Sequence, residues 1–313
     1  MKILKLLPLF FLSILFALVL PHFHDQAHAD PTFNEFSLPN GDGNNYGITS
    51  GPDGNLWFTE TNNYSKIGKI TPSGTITTYS LPADRISDGI TSGPDGNLWF
   101  SGGYFIGKIT PSGTFTPYFL SGYNTGSYYN NITSGPDGNL WFTETTSIGK
   151  ITTSGTITHY SLSDVTNNYG ITSGPDGNLW FTATNVNTNV NKIGKITPSG
   201  TITEYSMSGS PPYCASLGIT SGPDGNIWFT EGCGTTGATS MIGKITPSGT
   251  LTEYNVPNND VPGQITTGSD GNLWFTEGGK IGKITPSGTI TEYSVSNNGD
   301  GITIGPDGNI WFT

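Results

Sequence analysis

Gly51-Pro-Asp-Gly-Asn-Leu-Trp-Phe-Thr59 is the stretch whose reading decides the fold, because the chain of 313 residues returns to it until its end. The Asp-Gly pair ahead of Trp-Phe recurs at Asp53, Asp95, Asp137, Asp176, Asp224, Asp270 and Asp307, 37 to 48 residues apart. A second element, Ile-Gly-Lys-Ile-Thr, begins at Ile67, Ile106, Ile148, Ile193, Ile242 and Ile281, and a Thr-Ile-Thr-Glu-Tyr-Ser type segment follows each. In Pro-Asp-Gly-Asn, proline presets φ near −65° and glycine accepts a positive φ, which is the chemistry of a tight turn. Leu56 and Phe58 then point one way and Trp57 the other, as the period of a strand requires. Apolar residues on both sides of so short a strand call for a sheet with a neighbour on each face.

Each unit reads as four short strands: a over Gly47–Ser50, b over Leu56–Thr59, c over Ile67–Thr71 and d over Thr75–Leu81. Repeats of about 40 residues with four strands apiece are the signature of a β-propeller. The expectation is an all-β, seven-bladed β-propeller of four-stranded antiparallel blades, with an open stack of hairpins or a solenoid as the alternative. Phe33–Pro39 reads as a lone strand d that completes the last blade and ties the ends together, which removes open edges. The seventh unit has strands a (Gly301–Ile304) and b (Ile310–Thr313) but no c, so the last blade is expected to be incomplete and the chain truncated.

At the other end, Lys2 and Lys5 precede an apolar run from Leu6 to Leu20, and Ala27-His28-Ala29 offers small residues at peptidase spacing. The expectation is a signal peptide over residues 1–29 and a single propeller domain over 30–313; a membrane anchor is the alternative. Without Lys2, Lys5 and Asp25 the chain carries 10 basic and 22 acidic residues, a formal charge of −12. So acidic a chain with no basic run has nothing to neutralise phosphates, which excludes nucleic acid and anionic lipid as natural partners. A secreted or periplasmic monomer is expected, with no membrane association once the leader is gone.

Loop lengths separate two faces. The a–b and c–d links are nearly invariant, Ser269 and Thr153 being exceptions where other units have proline, whereas the b–c and d–a links vary freely. Variable loops on a regular scaffold are where specificity normally lives, although they can also be mere tolerance of insertions. Cys214 and Cys233 lie in two such links of the fifth unit, and an exported chain lets them form a disulfide; a free or metal-binding pair is the alternative.

The repeat phase places Tyr46, Asp88, Asn130, Tyr169, Leu217, Gly263 and Asp300 on the inner rim of the variable face. Of these, Tyr46, Asp88, Asn130, Tyr169 and Asp300 are the candidate ligand contacts. Glu60, Glu144, Glu231 and Glu277 close strand b. Carboxylates gathered at a channel mouth could hold Mg²⁺ or Ca²⁺ or raise one another's proton affinity enough to make an acid. The plainer alternative is that each glutamate faces solvent beside its own loop.

The whole repeat, Gly-Pro-Asp-Gly-Asn-Leu-Trp-Phe-Thr-Glu with Lys-Ile-Gly-Lys-Ile-Thr-Pro-Ser-Gly and Thr-Ile-Thr-Glu-Tyr, resembles that of the virginiamycin B lyases, or streptogramin lyases, over nearly all of residues 33–313. The resemblance implies a seven-bladed propeller that opens a cyclic antibiotic by elimination at an ester bond, with Mg²⁺. It also implies a general-base histidine at the start of strand a in the sixth blade and a metal-holding, catalytic glutamate fourteen residues later. Glu277 matches that glutamate, but Gly263 stands where the histidine belongs. Gln264 beside it cannot accept a proton near neutral pH, and His159 falls in a strand d, on the outer edge of its blade. Two readings therefore stand: a propeller that binds a small molecule, glycan or protein through its variable face, and a metal-assisted lyase opening a cyclic ester.

Overall fold

The computed structural model describes residues 2–7, 31–38, 44–61, 65–81, 86–120, 131–163, 165, 167–185, 188, 190–207, 214–233, 239–296 and 298–313. The fold is an all-β propeller with four-stranded antiparallel blades. The first blade is Asn44–Ser50, Leu56–Thr61, Lys66–Ile70 and Ile76–Ser80, paired in that order. Five more blades, over 86–119, 132–161, 167–206, 214–255 and 265–294, repeat the pattern. Six blades are thus built from strands consecutive in sequence, against the seven that the repeat count leads one to expect. The only helix among the described residues is the 3-10 turn Pro257–Asn259.

The last four-stranded sheet is composite, ordered Thr32–Ser37, Lys2–Leu7, Ile310–Phe312, Ile302–Ile304. The expectation of an incomplete last blade is corrected here, because Lys2–Leu7 occupies the strand c position. Two facing strand edges leave rows of backbone donors and acceptors that need partners, and this segment supplies them on both sides. Apart from Lys2–Leu7, residues 1–29 lie outside the described residues.

The turn that opens each blade explains the repeated motif. Gly54 has φ 74°, the left-handed conformation that glycine adopts without penalty, and the Gly51 amide donates to the Asn55 carbonyl at 2.7 Å. Asp53 receives the Trp57 indole N–H at 2.9 Å, and its other oxygen lies 3.6 Å from Lys69 Nζ. That ammonium sits over the Trp57 ring at 5.1 Å, while Tyr79 of strand d stacks on the ring at 5.6 Å. Lys69 also donates to the Pro111 carbonyl of the next blade at 3.3 Å. Conserving Asp, Trp, Lys and Tyr together therefore builds one bonded stack and clips it to its neighbour.

Packing between blades forms the core. Trp57 and Ile67 meet Ile90, Leu98 and Phe100 of the following blade, while Leu56 and Phe58 meet Trp311 and Leu38 of the composite sheet. Trp274 and Ile281 cover that sheet from its other side, against Ile310 and Phe312, so the ring is closed. Around the inner strands, hydroxyls bond the carbonyl of the preceding blade: Ser50 to Ile304 at 2.6 Å, Ser92 to Ser50 and Ser134 to Ser92 at 2.5 Å. Ser173, Ser221 and Thr267 continue the relay. Ile304 has no hydroxyl with which to extend it, and at that joint Ser269 instead donates to the Gly308 carbonyl at 2.8 Å.

Candidate functional site

Period 2 places the glutamate that closes strand b on the side of Phe58, not of Trp57. In the ladder Phe58 faces Gly68, which faces Thr78 of strand d. The glutamate therefore lies over its own blade, within reach of strands c and d. Glu60, Glu144, Glu231 and Glu277 are all buried, so the alternative of solvent-facing carboxylates does not describe them.

Each carboxylate has its own surroundings. Glu60 lies 3.8 Å from Lys66 Nζ across the ladder. Glu144 accepts a hydrogen bond from the Ser147 hydroxyl and meets His159 Nδ1 at 2.9 Å. His159 thus sits on strand d, 40% exposed, as its place in the repeat implied. Glu231 receives the Asn191 side-chain amide of the preceding blade at 2.8 Å, and its charge, after burial, raises the proton affinity of Glu253 on strand d.

Glu277 is the outlier. Both its oxygens are buried without a hydrogen-bond partner among the described residues. Its carboxylate, that of Glu292 on strand d and that of Asp260 lie within 4.8 Å of one another. Lys280 Nζ bonds two of the three, Asp260 Oδ2 at 2.6 Å and Glu292 Oε2 at 3.0 Å. Burial, then the negative charge of Glu292, pushes the Glu277 carboxyl up to about 8, and Lys280 only partly opposes this. The two acidic partners in turn hold the Lys280 ammonium above its ordinary range. Among the described residues this is the one acidic cluster of three or more, and Glu60, Glu144 and Glu231 do not belong to it.

Sequence reasoning missed Asp260, Lys280 and Glu292. A signal was present for Lys280: Glu277-Gly-Gly-Lys280 is a two-residue hairpin turn, which sets its flanking residues opposite each other, and the ladder pairs them so. Asp260 follows an irregular turn in which Asn258 and Asn259 both take φ 57°, and no periodicity foretells where such a segment delivers a side chain.

The rim positions are equivalent in structure as in sequence. Thr143 Oγ1 donates to the Tyr169 carbonyl at 2.9 Å, Thr230 to Gly263 at 2.6 Å and Thr276 to Asp300 at 3.3 Å. Tyr169 is half-buried and Asp300 exposed. The backbones of Tyr46 and Asp88 run in Asn44–Ser50 and Ile86–Ser92, while their side chains, and Asn130 entirely, lie outside the described residues. Gly263 is tightly held: its amide donates to the Thr276 carbonyl at 2.7 Å. A Cβ there would stand 2.7 Å from Thr276 Oγ1, so that hydroxyl would have to move to admit a side chain.

The carboxylate oxygens of Asp260, Glu277 and Glu292 are the hard donors that Mg²⁺ or Ca²⁺ prefers. The Lys280 ammonium, however, already bonds two of the three. In this arrangement the cluster carries its own cation and does not fit a divalent ion as well.

Comparison with known proteins agrees with this architecture. The model of the virginiamycin B lyase family matches residues 25–167 and 89–313. A streptogramin B lyase structure is 38% identical, with a TM-score of 0.76, over 89% of this chain and 93% of that one. A catalytically inactive histidine-to-alanine variant of virginiamycin B lyase from Staphylococcus aureus, with quinupristin, is 35% identical, also with a TM-score of 0.76, over 89% and 97%. A virginiamycin B lyase of Saccharopolyspora erythraea is 46% identical over 50 residues, 16% of each chain, so that match spans a small part of the relative's length.

Proposed function

Because the chain belongs to the virginiamycin B lyase family, we propose that it is a seven-bladed propeller that binds a small cyclic ligand through its variable face without opening it. The observation that carries this is Gly263. It stands where the resemblance calls for a general-base histidine, at a rim position where Tyr169 and Asp300 carry side chains, and it offers none. Abstraction of a proton needs a base within about 3 Å of it, and Gln264 cannot serve. Tyr46, Asp88, Asn130, Tyr169 and Asp300 supply aromatic faces and polar groups for the ligand. A glycan or protein partner remains compatible with the same face. The solved structure of an inactive substitution variant of the Staphylococcus aureus relative with quinupristin supports the choice of probe.

Calorimetry with quinupristin, followed by chromatography of the recovered ligand after incubation with Mg²⁺, tests the proposal. The expected result is saturable heat and intact ligand. Recovery of the ring-opened product overturns it, and the absence of any heat removes this ligand class.

A second reading is the metal-assisted lyase, and one observation favours it: the Glu277 carboxyl, pushed up to about 8, has the proton affinity of a general base. Ring opening that disappears in Glu277→Gln, with the propeller still folded, would support it. We also propose export by a leader over 1–29, as a monomer. No helix among the described residues is long and apolar enough to cross a membrane.

Cys214 and Cys233 are direct partners in the antiparallel ladder. Directly opposed residues have Cα atoms about 4.5–5.5 Å apart, within the range a disulfide spans, and we propose that they form one. Mass spectrometry with and without reductant checks this, a shift of two hydrogens being expected.

A further inference from the structure

Where strand b ends, a blade sets three positions side by side: a residue of b, the residue of c opposite it, and the residue of d that faces the glycine of c. In four blades a side-chain nitrogen stands there against a carboxylate. Lys66 faces Glu60 at 3.8 Å, His159 Nδ1 meets Glu144 at 2.9 Å, Lys192 bonds Glu204 at 2.7 Å and Lys280 bonds Glu292 at 3.0 Å. The blade over 214–255 departs from this. Its three residues are Glu231, Met241 and Glu253, two carboxylates with a methionine where Lys66, Lys192 and Lys280 stand. Methionine is unbranched like lysine and carries no charge. No cation among the described residues offsets the pair: burial, then the charge of Glu231, raises the Glu253 carboxyl, and nothing lowers it.

Glu231 is fully buried and held in place from the preceding blade. Thr184 Oγ1 donates to Asn191 Oδ1 at 2.8 Å, and the Asn191 amide donates to Glu231 Oε1 at 2.8 Å. Oε2 of the same carboxylate is buried with no hydrogen-bond partner among the described residues, a costly state for a polar atom. Glu253 is exposed, so a donor can approach from solvent past it. We propose that Glu231 and Glu253 form a binding site for the ammonium group of a primary amine, seated where other blades place a nitrogen of their own. Lys280 shows the mode, since its one ammonium bonds two carboxylates, at 2.6 and 3.0 Å. The bound ammonium donates to Glu231 Oε2 and to Glu253, and its alkyl stem runs beside the Met241 thioether. A calcium ion asks for about six to eight oxygen ligands, whereas an ammonium has three N–H donors to place, which suits two carboxylates better. The site uses neither Gly263 nor the Glu277 cluster, so it stands whether or not the chain opens a ring.

Calorimetry on the full chain with propylammonium, and with a blocked Gly-Lys-Gly peptide, tests the site. Saturable binding of at least one is expected, and the tighter of the two says whether a small amine or a lysine side chain is the natural source. Glu253→Gln, at an exposed position, should weaken that binding roughly tenfold, the loss of one charge-assisted hydrogen bond. Met241→Lys supplies the ammonium from within, and should raise Tm and abolish amine binding. No saturable binding of either amine overturns the proposal, as does binding that both variants leave unchanged. Calcium that binds in place of the amines, and is lost in Glu253→Gln, overturns the ammonium assignment. Should Met241→Lys not fold, the wild-type titrations and Glu253→Gln decide.

Discussion

Glu277 is a carboxyl buried beside two others, and its protonation is a stability statement. Its folded value, about 8, lies above the ordinary 4.5. Between those values the folded chain holds a proton that the unfolded chain has released, so stability falls as pH rises. The slope contributed by one such group is at most about 1.4 kcal/mol per pH unit. Urea unfolding from pH 5 to pH 9 should therefore show a decline that Glu277→Gln removes, and equal slopes in the two proteins would refute the assignment. Lys280 acts in the opposite sense, since its ammonium bonds Asp260 and Glu292. Replacing it with methionine leaves three carboxylates within 4.8 Å and no internal cation. Lys280→Met is expected to lower Tm at pH 8, and millimolar Ca²⁺ to restore part of the loss. Calcium that raises both proteins equally would show that the ammonium does not hold the cation's place.

At the scale of the element, the glycine of Ile-Gly-Lys-Ile is a space reserved for a ring. A Cβ on Gly68 would lie 2.1 Å from Phe58 Cζ, and Phe58 is itself buried between its blade and Trp311. Gly68→Ala should cost about 1–3 kcal/mol, the usual cost of overpacking a filled core, and an unchanged urea midpoint would mean that the ring moves freely. The same ladder explains what could be read from sequence and what could not. Strands b and d were legible because alternation and turn residues mark them: Leu56–Thr61 and Ile76–Ser80 differ from expectation by a residue or two at the ends. The glutamates after Trp-Phe-Thr were legible as a set, and the phase gave the rim, since Tyr169, Gly263 and Asp300 share one hydrogen-bonded position. Where each carboxylate points was not legible. The neighbour of Glu60 lies on strand c, that of Glu144 on strand d as well, that of Glu231 on the preceding blade, and those of Glu277 on strand d and on the irregular turn before Val261. Nor did the repeat reveal that Lys2–Leu7 could serve as strand c, because an apolar run after lysine reads equally well as a leader.

At the scale of the whole molecule, the ring is held by many copies of one modest contact, and copies share a pH dependence. Asp53, Asp95, Asp137, Asp176, Asp224 and Asp307 are each subject to burial, which raises a carboxyl. Hydrogen bonds from the neighbouring tryptophan and asparagine and the charge of a lysine outweigh it, and all six lie below the ordinary 3.8. A lowered carboxyl contributes stability that is fully present above the unfolded value and is lost as pH falls through the folded one. Below about pH 4 the six losses add, because the aspartates sit in separate blades and share no partner. The expected outcome is a steep fall in stability between pH 4 and pH 2, far steeper than one carboxyl gives, with the blades unfolding together because each lysine also bonds the next turn. Asp137→Asn should retain an acceptor for the Trp141 indole while losing the charge that faces Lys150. It should therefore lower stability at pH 7 and flatten the acid limb by about one carboxyl's share. Urea midpoints at pH 7, 4, 3 and 2 decide the matter. A midpoint independent of pH across the acid range would mean that the aspartates position the indoles through geometry alone and that their charge contributes nothing to the ring.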